Sequence, residues 1–566
     1  MLETTLATPV LPGSHAGGDP RGAHWIFCLD RLELGRVLCL GLPATAGLET
    51  IAPLAEEVMV WEPRDGKRRL LQEWLGRGGP SNVSVAGRPQ ASWQLHELRA
   101  DLLLPSGGLW NAADLRPFLG PGSISYHEAL DAPHEHPTPP GLASLHGTPP
   151  LVLRLTPLAG EIRTAVPCVD GETTRWFEAQ HLLAPRFRHG LLARAEKALA
   201  RRGFIAPAAG RLGVLGGART PGTTRPPAYL RRLAALHGVD IEDHRWGLCV
   251  PGDARAPTLL FYLFGAVATA PEFVVEMVRD PRFNRGIENE HRVLSRWRAL
   301  SAAPQQVAPE VLFLGHPGHL AAVGRRWLEG EPFVHRTEGT PSCAVARQAV
   351  ASLLTLGRAT AEPVAASAAA AALDTLCTRF AAVYRPPPLE LAFLRRQIAA
   401  LAASPWPVPA VLQHGDPELC NLLVPSDGRV VFFDWKQAEE RGMPLWDLLV
   451  FLHSYVLLDD VQRRQERPAA SVASLLLESH FSPWVRQTLE EYCTRVGVHP
   501  TLLEPLFYTC WMARALQEAT RLPASTLGSS RTLALLRHWI QGRQGPGLCQ
   551  LFANGQHTAV GAEGNA

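Results

Sequence analysis

Three side chains that carry oxygen atoms, Asp416, Asn421 and Asp434, lie close together in a stretch that alternates polar turns with short apolar segments. Transfer of a phosphoryl group needs little covalent chemistry from a protein. It needs a group that orients the acceptor, and oxygen ligands for a magnesium ion that bridges the phosphates. Asp416 suits the first task. Asn421 and Asp434 suit the second, because magnesium prefers oxygen and usually takes few protein ligands.

A short hairpin is predicted to bring these side chains together. Leu422–Val424 forms an apolar strand, and Ser426–Gly428 forms the turn, because Asp-Gly tolerates the positive φ that two-residue connections need. Arg429–Phe433 is rich in β-branched and aromatic residues and is predicted to be the return strand. Asp434 follows it directly, so we expect the polar groups to meet at one end of the hairpin.

The runs HGDPELCN, FFDWKQA and PLWDL together resemble the aminoglycoside phosphotransferase and choline kinase superfamily, whose HxDxxxxN loop and downstream metal-binding Asp have this order and approximate spacing. The resemblance implies that Asp416 is the catalytic base and that His414 supports the loop. It also implies that Asn421 and Asp434 bind magnesium and that Asp447 braces the loop from a helix. The competing interpretation is an ordinary hairpin before a capped helix, but several typed positions in a strand-turn-strand context favour the family.

The region before this stretch fits the small lobe of a kinase-like fold. Thr258–Phe264 and Glu272–Val278 are strong strand patterns, and Asn284–Leu300 is helical. In the family, the strand before the helix carries a Lys that holds the α- and β-phosphates and pairs with a helix Glu. Glu290 matches that Glu and is therefore a candidate nucleotide-binding residue, whereas the aligned Lys position is Glu276. The remaining strands are predicted at 312–314 and 320–327, and the hinge to the helical lobe at 329–332.

The missing lysine cannot be recovered by a shifted alignment, because Lys occurs only at positions 67, 197 and 436. The residues that could replace it are Arg279, Arg282, Arg325 and Arg326. Alternation along the strand puts Arg279 on the face opposite Glu276, which disfavours it. Loss of such a charge typically costs on the order of 3 kcal/mol in the transition state, about a hundredfold or more in rate.

The N-terminal part is predicted to form a strand (36–40), a tight turn (41–47), a helix that extends to 57, and a second strand (58–62). Further strands follow at 82–85, 100–104, 123–126 and 211–215. Over residues 30–145 this order resembles the Rossmann-like class I methyltransferases, which makes S-adenosylmethionine a candidate ligand. By that resemblance Gly41 would approach the ligand and Glu62 would accept the ribose hydroxyls. Pro43 replaces the middle glycine of the turn, so a degenerate scaffold domain is the alternative.

The composition describes a folded protein without a strong electrostatic field. The chain has 566 residues, 46% of them hydrophobic and 19% charged, with a formal charge of +2. This balance indicates no nucleic-acid partner and no attraction to anionic membranes. The ten Cys are scattered singly, which is typical of reduced thiols in the cytoplasm. The sequence carries no pattern typical of a signal peptide or a membrane span, so a cytoplasmic protein is expected, and the bias towards Arg, Ala, Gly and Pro is typical of a bacterial one.

The expected fold class is α/β plus α+β, with a Rossmann-like domain followed by a bilobal protein-kinase-like fold. The predicted segments are a disordered N-terminus (1–22), a Rossmann-like domain (23–215), a linker (216–250), a small lobe (251–330), a helical large lobe (331–548) and a flexible tail (549–566).

Two functions follow from this sequence. The first is a phosphotransferase that moves the γ-phosphoryl group of ATP, bound with Mg²⁺, to a hydroxyl of a small molecule. The second is a kinase-fold regulatory or binding protein with weakened turnover, fused to a methyltransferase-like domain. Asp416, Asn421 and Asp434 favour the first, whereas Glu276 and Pro43 favour the second. The sequence identifies neither the acceptor nor the oligomeric state.

Overall fold

A computed structural model describes residues 24–41, 45–87, 99–105, 116–130, 150–156, 164–168, 170–177, 211–217, 225–251, 257–300, 307–458, 476–520, 522 and 524–552. The described chain divides into two compact units. The sheet unit comprises the described residues of His15–His291 and Glu310–Trp327, and the helical unit those of Arg292–Pro309 and Leu328–Ala566. The predicted N-terminal segment 1–22, Pro43 and most of the predicted tail lie outside the described residues.

The strands of the sheet unit are β1 (Leu34–Leu40), β2 (Ala55–Trp61), β3 (Val83–Ala86), β4 (Ala100–Pro105), β5 (Leu119–Leu130), β6 (Leu151–Thr156), β7 (Thr164–Pro167), β8 (Arg211–Gly216), β9 (Arg245–Cys249), β10 (Thr258–Phe264), β11 (Phe273–Val278), β12 (Val311–Gly315) and β13 (Ala322–Arg326). These thirteen described strands form one mixed sheet in the order β12-β13-β11-β10-β9-β7-β6-β8-β5-β4-β1-β2-β3. Its helices are α1 (Thr45–Ile51), α2 (Asp65–Gly76), α3 (Gly171–Phe177) and α4 (Ala228–Leu236), and the first part of α5 (Asn284–Leu300) also belongs to it.

Five neighbouring strands at the N-terminal end of this sheet are parallel, in the order β3-β2-β1-β4-β5. Doubly wound nucleotide-binding sheets begin with the same order. The assignment as a Rossmann-like domain nevertheless stays a prediction. One detail of the sequence prediction was wrong: α1 ends at Ile51 rather than near Glu57, and β2 begins at Ala55. Pro53 explains the early end, because the residue before a proline is disfavoured in α-helical conformation.

The other end of the sheet contains the predicted small-lobe strands. The antiparallel pair β10–β11 and helix α5 match the expected bounds closely, and β13 pairs with β11. Part of the predicted linker is regular structure, since α4 and β9 lie within it. Strand β9 pairs with β10 on one side and with β7 on the other, so it joins the small-lobe strands to the N-terminal strands.

The helical unit contains α6 (Ala344–Thr360), α7 (Ala366–Tyr384), α8 (Pro388–Ala402), α9 (Trp446–Val456), α10 (Ser482–Val496), α11 (Leu503–Ala519) and α12 (Arg531–Gln541). Its strands are β14 (Gly330–Pro332), β15 (Glu362–Val364), β16 (Val408–Gln413), β17 (Leu422–Pro425), β18 (Val431–Phe432) and β19 (Glu439–Gly442). Helix α11 contacts α7, α8, α9 and α12 and is buried along most of its length. A helix that is apolar on nearly every side belongs in a core, and its few polar residues are therefore held in place.

The predicted hairpin is present as β17–β18, with Leu422 opposite Phe432. Its return strand is shorter than predicted, because Arg429 remains in the turn. The Asp427 carboxylate accepts hydrogen bonds from the backbone N–H of Arg429 at 3.0 Å and from its side chain at 2.6 Å. The predicted hinge at 329–332 contains strand β14, which pairs with β17 on the side opposite β18.

Two further observations concern the whole described chain. Among the helices that the structure describes, none combines the length and the apolar composition needed to cross a bilayer. All ten cysteines lie in the described part, and none forms a disulfide. Most of them are buried, whereas Cys420 and Cys549 are exposed.

Candidate functional site

The loop that follows β16 is attached to the first turn of α9 through Asp447. The backbone N–H groups of His414 and Gly415 donate to its two carboxylate oxygens at 2.6 and 3.0 Å. Burial raises the pKa of the Asp447 carboxyl to about 7, although these hydrogen bonds and the charge of Arg514 act in the opposite direction. The position that the family resemblance assigned as a brace therefore does contact the loop directly.

His414 connects both halves of the hairpin region. Its Nε2 lies 2.7 Å from the carbonyl oxygen of Phe433, and its Nδ1 lies 3.2 Å from the backbone nitrogen of Asp416. Burial lowers the pKa of His414 to about 4, so the ring is neutral near pH 7. These partners assign the proton to Nε2, which donates to Phe433, and leave Nδ1 as the acceptor from Asp416. The ring thus fixes the loop and is not placed as a proton-transfer group.

Asp416 and Asn421 are held in one tight turn. The carbonyl oxygen of Asp416 accepts hydrogen bonds from the Asn421 side chain and the Glu418 backbone, both at 2.9 Å. The Asn421 backbone in turn bonds to Glu418 and, at 2.8 Å, to Phe433. Because Nδ2 of Asn421 is fixed in this way, its Oδ1 is presented as the acceptor atom. Through Phe433 the turn lies next to the residue that follows in the chain, Asp434.

Asp434 differs from its neighbours in exposure and in backbone conformation. Its side chain is 42% exposed, whereas Asp416 is almost fully buried. It has φ 62° and ψ 58°, in the left-handed region that is uncommon for a residue other than glycine. Such conformations are concentrated at functional sites, where the surrounding structure maintains them. The Lys436 ammonium lies 3.1 Å from Asp434 Oδ1.

The oxygen donors of this loop suit a magnesium ion that takes its other ligands from phosphates and water. They are too few for a metal site made only of protein ligands. No group of three or more His, Cys, Asp and Glu side chains within the described ranges could hold a metal ion. Asn421 and Asp434 carry oxygen atoms of the kind that magnesium accepts, and magnesium commonly takes its other ligands from phosphates and water. The structure does bring the predicted residues together: hydrogen bonds link His414, Asp416 and Asn421 to one another or to Phe433, which precedes Asp434. Their roles as metal ligands stay a prediction.

Arg514, on α11, is a residue of this site whose role the sequence did not reveal. Its Nη1 donates to Asp416 Oδ1 at 2.8 Å, and its Nη2 bonds to Glu418. One helical turn later, Gln517 accepts from Arg514 and donates to the carbonyl oxygen of Gly415 at 3.1 Å. A polar edge of the otherwise buried helix α11 thus faces the loop. The signal in the sequence was weak: Trp511, Arg514 and Glu518 recur at roughly one-turn spacing within an apolar helix.

Two neighbours of Arg514 along the same helix have other tasks. Trp511 is buried and packs against His453 and Phe507, as expected of a packed helix face. Glu518 accepts hydrogen bonds from the first residues of α12, including the backbone N–H groups of Arg531 and Thr532. Of these three residues of α11, only Arg514 contacts the candidate loop.

The predicted nucleotide-binding residue Glu290 belongs to the sheet unit, where it lies in a buried ionic triad. Arg325 Nη2 is 2.7 Å from Glu290 and 2.8 Å from Glu276, and all three side chains are at most 8% exposed. The residue at the expected Lys position is thus an acid whose charge is compensated by Arg325, from the neighbouring strand. Arg279 instead contacts the ring of buried His24, in agreement with the predicted opposite face.

The other two predicted ligand-binding residues, Gly41 and Glu62, also lie in the sheet unit. The backbone N–H of Gly41 donates to Trp61, and Gly41 has a positive φ of 105°. Glu62 is completely buried, and its two carboxylate oxygens accept hydrogen bonds from the Arg64 guanidinium at 2.6 and 2.7 Å. Its carboxylate is therefore engaged within the chain, and a contact to a ribose would compete with Arg64.

Comparison with known proteins places one segment of the chain in a family. Residues 260–476 match the model of the phosphotransferase enzyme family. A search of curated proteins found no match. No comparison supports the predicted resemblance of the N-terminal part to methyltransferases, or S-adenosylmethionine as its ligand.

Solved structures similar to this chain include phosphotransferases and a kinase-family protein. Macrolide 2′-phosphotransferase MphH from Brachybacterium faecium is 18% identical, and the match covers 53% of this chain and 97% of that protein, with a TM-score of 0.34. Aminoglycoside phosphotransferase APH(3″)-Id from Streptomyces rimosus, in complex with ADP and streptomycin, is 18% identical over 50% of this chain and 97% of its own, with a TM-score of 0.30. A choline/ethanolamine kinase family protein from Mesorhizobium loti is 16% identical over 53% and 90%, with a TM-score of 0.30.

The resemblance predicted from HGDPELCN, FFDWKQA and PLWDL is thus confirmed for the C-terminal part, which over residues 260–476 matches the phosphotransferase enzyme family.

Proposed function

We propose that this protein is a kinase of small molecules, which transfers the γ-phosphoryl group of ATP to a hydroxyl group of its acceptor. In this reaction the acceptor oxygen forms a bond to the γ-phosphorus, and the bond from that phosphorus to the β,γ-bridging oxygen breaks. The hydroxyl proton is released, and the products are ADP and a phosphate monoester.

One observation carries the proposal. Asp416, Asn421 and Asp434 are tied together in a single hydrogen-bonded loop of the helical unit, through the links from His414 and Asn421 to Phe433. The loop lies within the segment that matches the phosphotransferase enzyme family. In an unrelated hairpin, the same side chains would not require the Asp447 carboxylate to accept hydrogen bonds from two successive backbone N–H groups.

Each residue has a separate task in this proposal. The Asp416 carboxylate accepts a hydrogen bond from the acceptor hydroxyl and receives its proton as the phosphoryl group moves. Arg514 holds one oxygen of that carboxylate, so the group is oriented before the acceptor arrives. Asn421 Oδ1 and the Asp434 carboxylate hold magnesium, which when bound neutralises charge that develops on the phosphates. Asp447 and His414 keep the loop in its shape.

Nucleotide binding with and without magnesium tests this proposal. The thermal unfolding midpoint of the intact chain is expected to rise with ATP only when magnesium is present, because binding to the folded state stabilises it. Asp434→Ala should abolish this rise. Asp427→Ala is the matched control, since Asp427 is an exposed Asp in the same hairpin that bonds only the turn residue Arg429 in the contacts above. It should leave the shift unchanged.

Turnover distinguishes the proposed kinase from a regulatory protein of the same fold. ADP release should be stimulated by a pool of hydroxyl compounds, and Asp416→Asn should lower it by about a hundredfold or more while nucleotide binding persists. Binding without any acceptor-dependent turnover would favour the regulatory function. A protein that binds no nucleotide, with or without magnesium, would contradict both.

A further inference from the structure

The proposed function leaves a deficit of positive charge for the nucleotide phosphates. The family resemblance implies a lysine on the strand before helix α5, where this chain has Glu276. Arg325 lies beside that position, but one guanidinium there faces two carboxylates, those of Glu276 and Glu290. This triad has no excess positive charge with which to attract an anion, so the phosphates need a cation from elsewhere in the chain.

Lys436 supplies a cation within the candidate loop itself. It lies two residues after Asp434, in the short helical turn Trp435–Gln437, and its ammonium is 3.1 Å from Asp434 Oδ1. The Lys436 side chain is 24% exposed, so it is neither buried nor freely extended into solvent. It is also the only lysine that the sequence contains after position 197.

The turn that carries Lys436 is anchored by the residue before it. Trp435 is fully buried, its Nε1 donates to the carbonyl oxygen of Phe432 at 2.8 Å, and its ring packs against those of His414 and Trp297. Asp434 and Lys436 are therefore attached on either side of a fixed aromatic side chain. Their proximity follows from this anchoring and does not depend on a flexible loop end.

The charges around the loop favour a metal ion, and they favour an anion only when that metal ion is bound. Asp416, Glu418 and Asp434 contribute three negative charges, and Arg514 and Lys436 contribute two positive ones. Arg514 is directed at Asp416 and Glu418, whereas Lys436 is beside the candidate metal ligand. Lysine is a compact charge with three donors on a flexible stem, so its ammonium can bond a carboxylate and a phosphate oxygen at the same time.

We propose that Lys436 binds the β- and γ-phosphates of the nucleotide from the same turn as Asp434, and so takes the role of the lysine that strand β11 lacks. This inference rests on the proposed function. The alternative is that Lys436 only neutralises Asp434. The two cases differ in which ligands lose affinity when Lys436 is replaced. Loss of a phosphate contact lowers the affinity for ATP and ADP but not for adenosine, whereas loss of a purely structural ion pair changes the affinity for adenosine and ATP alike.

Calorimetric titration of the full chain with magnesium and ATP, ADP or adenosine separates these cases. For Lys436→Met we expect affinity for ATP and ADP to fall by about tenfold to a hundredfold, with adenosine binding unchanged within about twofold. Lys436→Arg should recover much of the affinity, and Lys436→Gln, which keeps a polar end but not the charge, should not. Lys67→Met, on helix α2 of the other unit, is the control and should bind like the wild type.

The results that would overturn the inference are distinct from those that would overturn the proposed function. If the wild type binds Mg·ATP and Lys436→Met and Lys436→Gln bind it equally well, Lys436 is not a phosphate ligand, although the kinase proposal stands. An equal loss for adenosine and ATP assigns Lys436 a structural role and also overturns the inference. If the wild type binds none of the three ligands, the proposed function fails and this assignment fails with it.

Discussion

The carboxyl group of Asp447 experiences two opposed effects. It accepts hydrogen bonds from two backbone N–H groups, which favour the ionised form, yet its removal from water raises its pKa from 3.8 to about 7. Between these pH values the folded protein keeps a proton that the unfolded chain has released. The contribution of Asp447 to the free energy of unfolding therefore falls as the pH rises from about 4 to about 7.

Asp447→Asn tests this dependence, because the amide does not titrate. The unfolding free energy of the wild type minus that of the variant should decrease by as much as roughly 4 kcal/mol between pH 4 and pH 7. Above pH 7 this difference should be constant. Urea unfolding at a series of pH values measures this difference. A difference that does not change with pH would show that the carboxyl group is ionised throughout the range.

Arg514 is the other residue whose contribution can be isolated. Arg514→Met leaves Asp416 and Glu418 without their shared guanidinium, so we expect a loss of roughly 3 kcal/mol in unfolding free energy. Turnover, where measured, should fall as well. Arg514→Lys keeps the charge but not the planar fork and should recover only part of either loss.

The control for Arg514 is an Arg in a solvent-exposed ion pair. Arg495 lies on α10, is 56% exposed, and pairs with Glu491 one turn earlier. Arg495→Met should change the unfolding free energy by less than about 0.5 kcal/mol. If the two variants lost similar amounts of unfolding free energy, the ion pairs of Arg514 with Asp416 and Glu418 would contribute no more than an exposed surface pair.

Strand pairing explains the triad of the sheet unit. Strands β11 and β13 are antiparallel with Glu276 opposite Val323, which makes Arg325 its diagonal neighbour on the same face. Helix α5 contributes Glu290 to the same buried cluster. Two adjacent strands and one helix thus contribute two acids and one arginine to the buried cluster. In a kinase-like small lobe, a Lys and a Glu are expected at these positions of the strand and the helix.

A double-mutant cycle measures how strongly these elements are coupled. Arg325→Met should cost roughly 3 to 5 kcal/mol, because it removes the guanidinium that lies between two buried carboxylates, whereas Glu276→Gln should cost little, since one acid remains for one guanidinium. In the double variant the loss should be at least about 1 kcal/mol smaller than the sum. Arg326→Met, at the next position of the strand and 52% exposed, is the control and should cost less than about 1 kcal/mol. An additive cycle would contradict the triad.

At the level of elements, local sequence was sufficient where the contacts are local. Strand β10, strand β11 and helix α5 were predicted almost to the residue, because each carries a long, regular pattern of apolar residues. The grouping of Asp416, Asn421 and Asp434 was also predictable from local sequence, because one short hairpin brings them together. The contact of Arg514 to Asp416 was not predictable, because it spans 98 residues and depends on how α11 packs.

In the molecule as a whole, the sheet is the feature that the sequence did not predict. The linker predicted at 216–250 suggested a break between domains, yet α4 and β9 lie within it. Among the described residues, the pairing of β7 with β9 that unites the two sets of strands joins Thr164 to Cys249 and Ala165 to Leu248. Two residue pairs between distant segments leave no periodic pattern in either one, so this connection is visible only in three dimensions.

The scarcity of lysine makes this chain unusually simple for amine chemistry. Lysines occur in this sequence at positions 67, 197 and 436 only, so a lysine-specific protease has three cleavage sites in it. Acylating reagents therefore have three ε-amines of this sequence to modify, and mass spectrometry can follow each separately. The amine that forms the ion pair with Asp434 thus serves as a built-in chemical reporter of the loop, without any substitution in the protein.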